Sequence, residues 1–325
     1  MARKVKKKKS KIRILSLFLL LIVIVVFAHK YIIASGNRRL SEKYFGDKTT
    51  SNPLLKTGHD PTVAISPDEL NSPNAILVRL KDNTILMQKN SEEKIYPASL
   101  TKMMTTIVAI ENLPDLQKKI KLPSSMFQEL YKADAAMAGF QPDEQIMSID
   151  LLYGAMLPSG AECCIGLADQ IAGSERNFVK MMNQKATDIG MDNTHFENAT
   201  GLHNENHYTT VKDLAALLSY ALQNATFREI FTSYRHSTQP TNKHPGGITF
   251  CSSMFEEMGS QSIAKGKILG GKTGYTDEAG LCLASLAKLD KQEYILITSG
   301  AKGNHKSEQY NITDALAVYN SLAKK

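Results

Sequence analysis

Cysteine is scarce in this 325-residue chain, which has four residues of the type, at positions 163, 164, 251 and 282. That count excludes a small scaffold stapled by disulfides, and direct pairing of the neighbours Cys163 and Cys164 would be strained, so the four read as small buried hydrophobes. No internal repeat is evident. Charge of one sign is also missing once the N-terminus is set aside. The net charge is +7, but eight of the 39 basic residues fall between Arg3 and Arg13, leaving 31 basic against 32 acidic residues in the rest of the chain. So balanced a remainder excludes a broad phosphate-binding face, and no nucleic-acid partner is expected. A strict apolar run of ~20 residues is absent too. The stretch 14–28 is interrupted only by Ser16 and reaches spanning length only when it is extended through Ile33.

What is present is a composition of 42% hydrophobic and 22% charged residues, enough for one large folded domain. The basic cluster followed by an apolar segment is an export signal, and an uncleaved single-pass membrane anchor over residues 1–34 is expected, with its basic end kept in the cytoplasm. Cleaved secretion is the alternative. Residues 35–70 are rich in Ser, Thr, Asn, Lys and Pro and read as a polar stalk. The catalytic domain is expected over 71–325, on the outer side of the membrane. Strand patterns at 75–80 and 84–88 flank the turn residues Lys81-Asp82-Asn83 and predict a hairpin. Apolar residues at helical spacing follow Pro97 and stop at Leu113-Pro114. The middle reads as helical over 151–171, 175–189 and 211–222. Strands return at 266–271, 281–286 and 293–298, and a helix over 309–323 closes the chain. Strands early, helices between and strands late predict one sheet assembled from both ends of the sequence.

A serine three residues before a lysine on a helix places both side chains on one face, where an amine can take the hydroxyl proton. The pattern occurs six times, at Ser91, Ser99, Ser262, Ser285, Ser299 and Ser321, so spacing alone decides nothing. Lys-Thr-Gly occurs twice, at Lys56 and Lys272. Of the six serines only Ser99 follows a proline at a helix start, where free backbone N–H groups and the helix dipole favour a developing oxyanion. Its partner is Lys102. One order of elements then remains: Ser99-x-x-Lys102, a serine loop at Leu157-Pro158-Ser159-Gly160, and Lys272-Thr273-Gly274 on a late strand.

With those elements in that order, the sequence resembles the low-molecular-mass penicillin-binding D-alanyl-D-alanine carboxypeptidases, a family of penicillin-recognising serine peptidases. The resemblance covers about residues 74–320. It rests on Tyr96-Pro97-Ala98-Ser99-Leu100-Thr101-Lys102, on Gly190-Met191-Asp192-Asn193-Thr194, on Gly201-Leu202 and on Gly271-Lys272-Thr273-Gly274-Tyr275-Thr276-Asp277. It implies the α/β (α+β) fold of serine β-lactamases and penicillin-binding transpeptidases, an antiparallel five-stranded sheet flanked by helices plus an all-helical lobe. It further implies hydrolysis of the terminal D-Ala-D-Ala bond of peptidoglycan stem peptides, or of their lipid-linked precursor, with inhibition by β-lactams. In that scheme Ser99 is the nucleophile, Lys102 its base and Ser159 the proton relay. Lys272 and Thr273 hold the terminal carboxylate, and the backbone N–H groups of Ser99 and Tyr275, past Gly274, form the oxyanion hole. The role is cell-wall biogenesis and shape, and it is compatible with antibiotic resistance.

One position departs from the family pattern. The third residue of the second element is Ala161, where the family has asparagine, and the loss of one charge-orienting hydrogen bond costs about 1.5 to 3 kcal/mol. Glu162 or a water is the expected partial replacement. Two other functions follow from the same residues: a catalytically weakened receptor for penicillin or wall peptide, and, less favoured, a β-lactamase, for which Glu197-Asn198-Ala199-Thr200-Gly201 is a poor match. His203 and His207 are spaced for a metal only on a helix, but their surroundings read as a loop, so no metal and no cofactor are expected.

Overall fold

The computed structural model describes residues 55–58 and 63–322. The expected anchor, and the parts of the expected stalk at 35–54 and 59–62, lie outside the described residues. Among the described residues no helix is long and apolar enough to cross a membrane.

The first described element, strand β1 (Lys56–Thr57), is followed by the hairpin β2 (Asn74–Arg79) and β3 (Thr84–Lys89). Helix α1 (Thr101–Asn112) comes next, then β4 (Lys119–Lys121), α2 (Ser125–Lys132) and β5 (Gln145–Met147). The helical lobe continues with α3 (Ser148–Met156), α4 (Ala161–Ala172), α5 (Glu175–Asp188), α6 (Val211–Ala221) and α7 (Ala225–Thr232). Strands β6 (Arg235–Ser237) and β7 (Thr249–Cys251) form a small hairpin ahead of α8 (Ser253–Met258). The chain then returns to the main sheet through β8 (Ser262–Ile263), β9 (Gly266–Thr276), β10 (Gly280–Leu289) and β11 (Gln292–Ala301), and closes with α9 (Tyr310–Leu322).

The main sheet has the order β1-β3-β2-β11-β10-β9-β8. Its five long strands are antiparallel neighbours, as expected, with a two-residue strand at each edge; β1 runs parallel to β3. Thus the Lys-Thr-Gly at Lys56 is an edge strand, and the folded unit reaches upstream of the boundary expected at residue 71. Leu70 is buried as well.

Alternation along each strand divides the core in two. Ile76, Val78, Ala284, Leu286, Ile295 and Ile297 face the helical lobe, whereas Ala75, Leu77, Leu283, Leu289 and Leu296 face α8 and α9. A strand covered on both sides needs a near-continuous apolar run, which β10 supplies as Leu281-Cys282-Leu283-Ala284. Helix α1 is the hub of the lobe and packs against α3, α4, α5, α6 and α7. Its residues from Thr101 to Ala109 are all buried, which is how a helix without a polar face avoids exposing apolar surface. Truncating Met104 or Ile107 to alanine there would cost about 2 to 5 kcal/mol.

Two expectations need correction. The helix read over 151–171 is two helices, because Pro158 offers no N–H and Ser159 takes a positive φ of 68°. Strand β9 continues five residues beyond Gly271, so Lys272-Thr273-Gly274 lies within a strand paired to β10 along its length. The four cysteines are free thiols, three of them buried and Cys251 half-buried.

Candidate active site

Pro97 enters a short 3-10 turn that leads into α1, and Ala98 takes the left-handed φ of 46°. That conformation is costly for a residue with a Cβ, and it is held by a close neighbour. Gly201, at φ 84°, lies so near that any Cβ would overlap the Ala98 carbonyl. The turn delivers Ser99 to the mouth of a cleft and Lys102 one helical turn further, with the Lys102 Nζ donating to Ser99 Oγ at 3.0 Å.

The same amine donates to the Thr200 carbonyl at 2.6 Å. That carbonyl is presented by a braced loop. Asn198 Oδ1 accepts from Thr200 N and Gly201 N, Asn183 of α5 pairs with the backbone of Phe196 in both directions, and Glu175 accepts from Ala199 N. Burial pushes the Lys102 pKa down. Lys272, 1% exposed, donates to the Thr273 carbonyl at 2.8 Å, and its pKa is pushed far down by burial and then by the Lys102 charge. Burial therefore shifts both amines toward the neutral form, the state in which one can accept a proton.

Ser159 and Ala161 line the same cleft. The Ser159 hydroxyl is buried and has no partner among the described residues. Gly274 packs on the nucleophile turn, where a Cβ would lie 3.1 Å from Ser99 N, so glycine lets β9 pass close to that N–H. The Thr273 hydroxyl is within 2.7 Å of Ser253 Oγ at the start of α8. Ser99, Lys102, Ser159, Thr273, Gly274 and Tyr275 line one cleft of about 640 Å3, and Lys272 is buried in the strand that forms its edge.

Glu162 does not stand in for the missing asparagine. Its buried carboxylate makes no hydrogen bond to Lys102, and its Oε1 accepts from Ala138 N, Gly139 N and Phe140 N at 2.7, 3.0 and 3.3 Å, clamping the loop that precedes β5. His207 is likewise structural: its Nδ1 accepts from Glu197 N, which leaves Nε2–H to donate to Thr101 Oγ1 at 2.8 Å. Burial pushes its pKa down to about 4. His203 lies 3.6 Å from Glu278. The described residues hold no group of three or more His, Cys, Asp or Glu side chains suited to a metal.

Sequence reasoning missed the Thr200 carbonyl, Ser253 and the Glu162 clamp. A backbone acceptor has no side-chain signature, although the Asn198 to Gly201 turn that aims it is visible as a turn sequence.

The sheet, the helical lobe and a serine hydrogen-bonded to a buried amine define an active-serine protein of the penicillin-binding and β-lactamase fold. Residues 61–303 match the family described as D-alanyl-D-alanine carboxypeptidase, and the chain belongs to that family. The D-alanyl-D-alanine carboxypeptidase DacF of Bacillus subtilis is 32% identical over 235 residues, covering 70% of this chain. The chain spans only 57% of that relative's length. A D-alanyl-D-alanine carboxypeptidase of Streptomyces strain K15 is 29% identical over 71% of this chain and 81% of its own. The crystal structure of the Streptomyces K15 DD-transpeptidase superposes with a TM-score of 0.71 at 25% identity, covering 79% of this chain and 98% of that one.

Proposed function

We propose that the chain is a serine-type D-alanyl-D-alanine carboxypeptidase that removes the terminal D-alanine from peptidoglycan stem peptides and is acylated by penicillin. The observation that carries this reading is the Lys102 amine, buried without a carboxylate partner and 3.0 Å from Ser99 Oγ. Ser99 Oγ attacks the carbonyl between the two D-alanines while its proton passes to Lys102. The bond to the terminal D-alanine breaks, its nitrogen takes a proton through the Ser159 hydroxyl, and an ester to Ser99 remains. Water then adds to that ester, Lys102 takes its proton, and the shortened peptide leaves with Ser99 restored. The N–H groups of Ser99 and Tyr275 would hold the oxyanion in both halves.

The basic and apolar segment 1–34 supports a single-pass anchor with the catalytic domain outside the cytoplasm. Membrane pelleting of the full chain, lost on deleting residues 1–34, tests that placement; a full chain that stays in the supernatant contradicts it.

The activity is tested by mass spectrometry of the full chain with a D-alanyl-D-alanine pentapeptide and separately with penicillin. Loss of one alanine and a Ser99 adduct, both absent in Ser99→Ala, are expected. An adduct with intact peptide would make the site a receptor, and no adduct would overturn the serine assignment.

A further inference from the structure

A second cavity, of about 540 Å3, lies at the other end of the main sheet from the cleft. Lys288 lines it and Leu281 lines the cleft, and both belong to β10, so the strand separates the two by roughly 23 Å. The cavity is walled by strand ends and by the helical lobe. Lys81 follows β2, Lys288 is near the end of β10 and Lys291 precedes β11, while Gln223 follows α6 and Arg228 sits on α7. Leu80 N donates to the Glu293 carbonyl at 2.9 Å and Arg228 Nε to the Leu222 carbonyl at 3.2 Å, which ties these pieces into one rim.

Charge here is one-sided. Lys81, Arg228, Lys288 and Lys291 line the cavity against the carboxylate of Glu293. Glu293 faces Lys288 across the β10–β11 ladder, yet its two oxygens accept from Arg228 at 3.1 and 2.9 Å. Asp82, next to Lys81, is taken by Arg79. Even with Asp290 of the β10–β11 turn counted, four cations meet two carboxylates. The three lysines are exposed and form no ion pair among the described residues. Like charges gathered on one cavity repel until an anion joins them.

The donors suit a tetrahedral oxyanion. A planar carboxylate pairs with the guanidinium fork, and Glu293 already fills that fork. Lysine ammoniums are point charges on flexible stems and serve phosphate from several sides. An amide stands beside them. Ser219 Oγ donates to Asn83 Oδ1 at 2.7 Å, which leaves the Asn83 NH2 without a partner among the described residues. Lys56 N, in the edge strand β1, donates to the Asn83 carbonyl at 2.8 Å and fixes this turn, so the amide is held ready for a ligand.

We propose that this cavity is a phosphate-binding site, filled by the phosphate of an anionic phospholipid headgroup or of a soluble phosphate ester. It lies apart from the reacting groups, and the proposal does not depend on the reaction at Ser99.

The test is amine-reactive labelling of the full chain at fixed ionic strength, read lysine by lysine by mass spectrometry. In alkyl maltoside micelles the additive is inorganic phosphate, glycerol phosphate, acetate or chloride; in nanodiscs the lipid is phosphatidylcholine alone or with phosphatidylglycerol. Labelling of Lys81, Lys288 and Lys291 should slow by about threefold, with the exposed Lys118 and Lys119, outside the cavity, unchanged. Slowing by the soluble phosphates assigns a soluble ester, and slowing by phosphatidylglycerol alone assigns a headgroup; either supports the site. Equal slowing by acetate or chloride, or none in any arm, overturns it. Lys81→Gln combined with Lys288→Gln should remove the protection of Lys291 while penicillin acylation of Ser99 stays within about twofold, the sign of an intact fold. Protection of Lys291 that survives in this variant overturns the proposal, and the native chain's labelling decides it where the variant does not fold.

Discussion

Two regions of this molecule bury charge in opposite ways. Beside the β6–β7 hairpin each buried carboxylate has an imidazole: Asp150 lies 2.6 Å from His236, which stacks on Tyr153, and Glu144 lies 2.8 Å from His244 while also accepting from Gln141 N. At the cleft two lysines are buried, Lys102 in its lining and Lys272 in the strand at its edge, and neither donates to a carboxylate. Pairing offsets desolvation and fixes geometry, which suits a hairpin whose strands are three residues long. Leaving the amines without a carboxylate makes their charged forms more expensive, and that moves a lysine toward acting as a base. Glu162 sharpens the contrast, since a buried carboxylate whose charge acts on Lys102 is spent on three backbone N–H groups of a loop and accepts from neither amine.

The largest expected effect comes from removing an unpaired charge. Lys102→Met should slow penicillin acylation of Ser99 by about 1,000-fold or more. It should nevertheless raise the melting temperature. The folded-state pKa of Lys102 is below that of the unfolded chain, so keeping the lysine in the folded state costs stability at pH values below both pKa values, and that cost falls away only as pH rises toward the free-lysine value. A melting temperature that falls would place Lys102 among the paired charges and break the comparison.

Removing a paired charge should do the reverse. Glu144→Gln is expected to lower unfolding free energy by about 3 kcal/mol in denaturant titration, because one of the two oxygens that accept from His244 and Gln141 N becomes an NH2 donor and the charge opposite His244 is lost, with acylation changed less than threefold. His207 gives a smaller effect of the same kind. It is buried neutral with a pKa of about 4, below the 6.5 of a free imidazole. Between those values the unfolded state binds the extra proton, so stability should fall by roughly 2 kcal/mol as pH drops from 6.5 to 4. Chemical denaturation of native chain and His207→Gln at both pH values isolates the term, and equal losses would show that His207 is not its source.

The smallest effect belongs to the missing asparagine. With the Lys102 amine already held by the Thr200 carbonyl, Ala161→Asn should change the acylation rate less than about tenfold. A larger gain would show that the amine is poorly placed without it.

The β2–β3 hairpin was legible because β2, covered on both faces, supplies the apolar run Ala75-Ile76-Leu77-Val78, and turn residues separate it from the next strand. Helix α1 was legible from its proline start and its apolar spacing. The Ser-x-x-Lys pairs also sort themselves physically: Ser285 and Lys288 both lie within β10, where a residue three positions on points to the opposite face, and Ser262 and Ser299 lie on β8 and β11 with their lysines beyond the strand ends, so none of the three shares a helix face with its lysine. The far half of β9 was hidden because Lys-Thr-Gly-Tyr-Thr has no apolar alternation. The β6–β7 hairpin was hidden because its partners for Asp150 and Glu144 come from about 90 to 100 residues downstream.

The unpaired amine is tested most directly by the pH dependence of Ser99 acylation, followed by intact mass with an uncharged β-lactam ester so that carboxylate recognition does not contribute. The rate should rise to a plateau with its midpoint below 10.5, the free-lysine value, and the dependence should vanish in Lys102→Met. A midpoint at 10.5, or a profile unchanged by that substitution, would mean that Lys102 is an ordinary charged lysine and that another group takes the Ser99 proton.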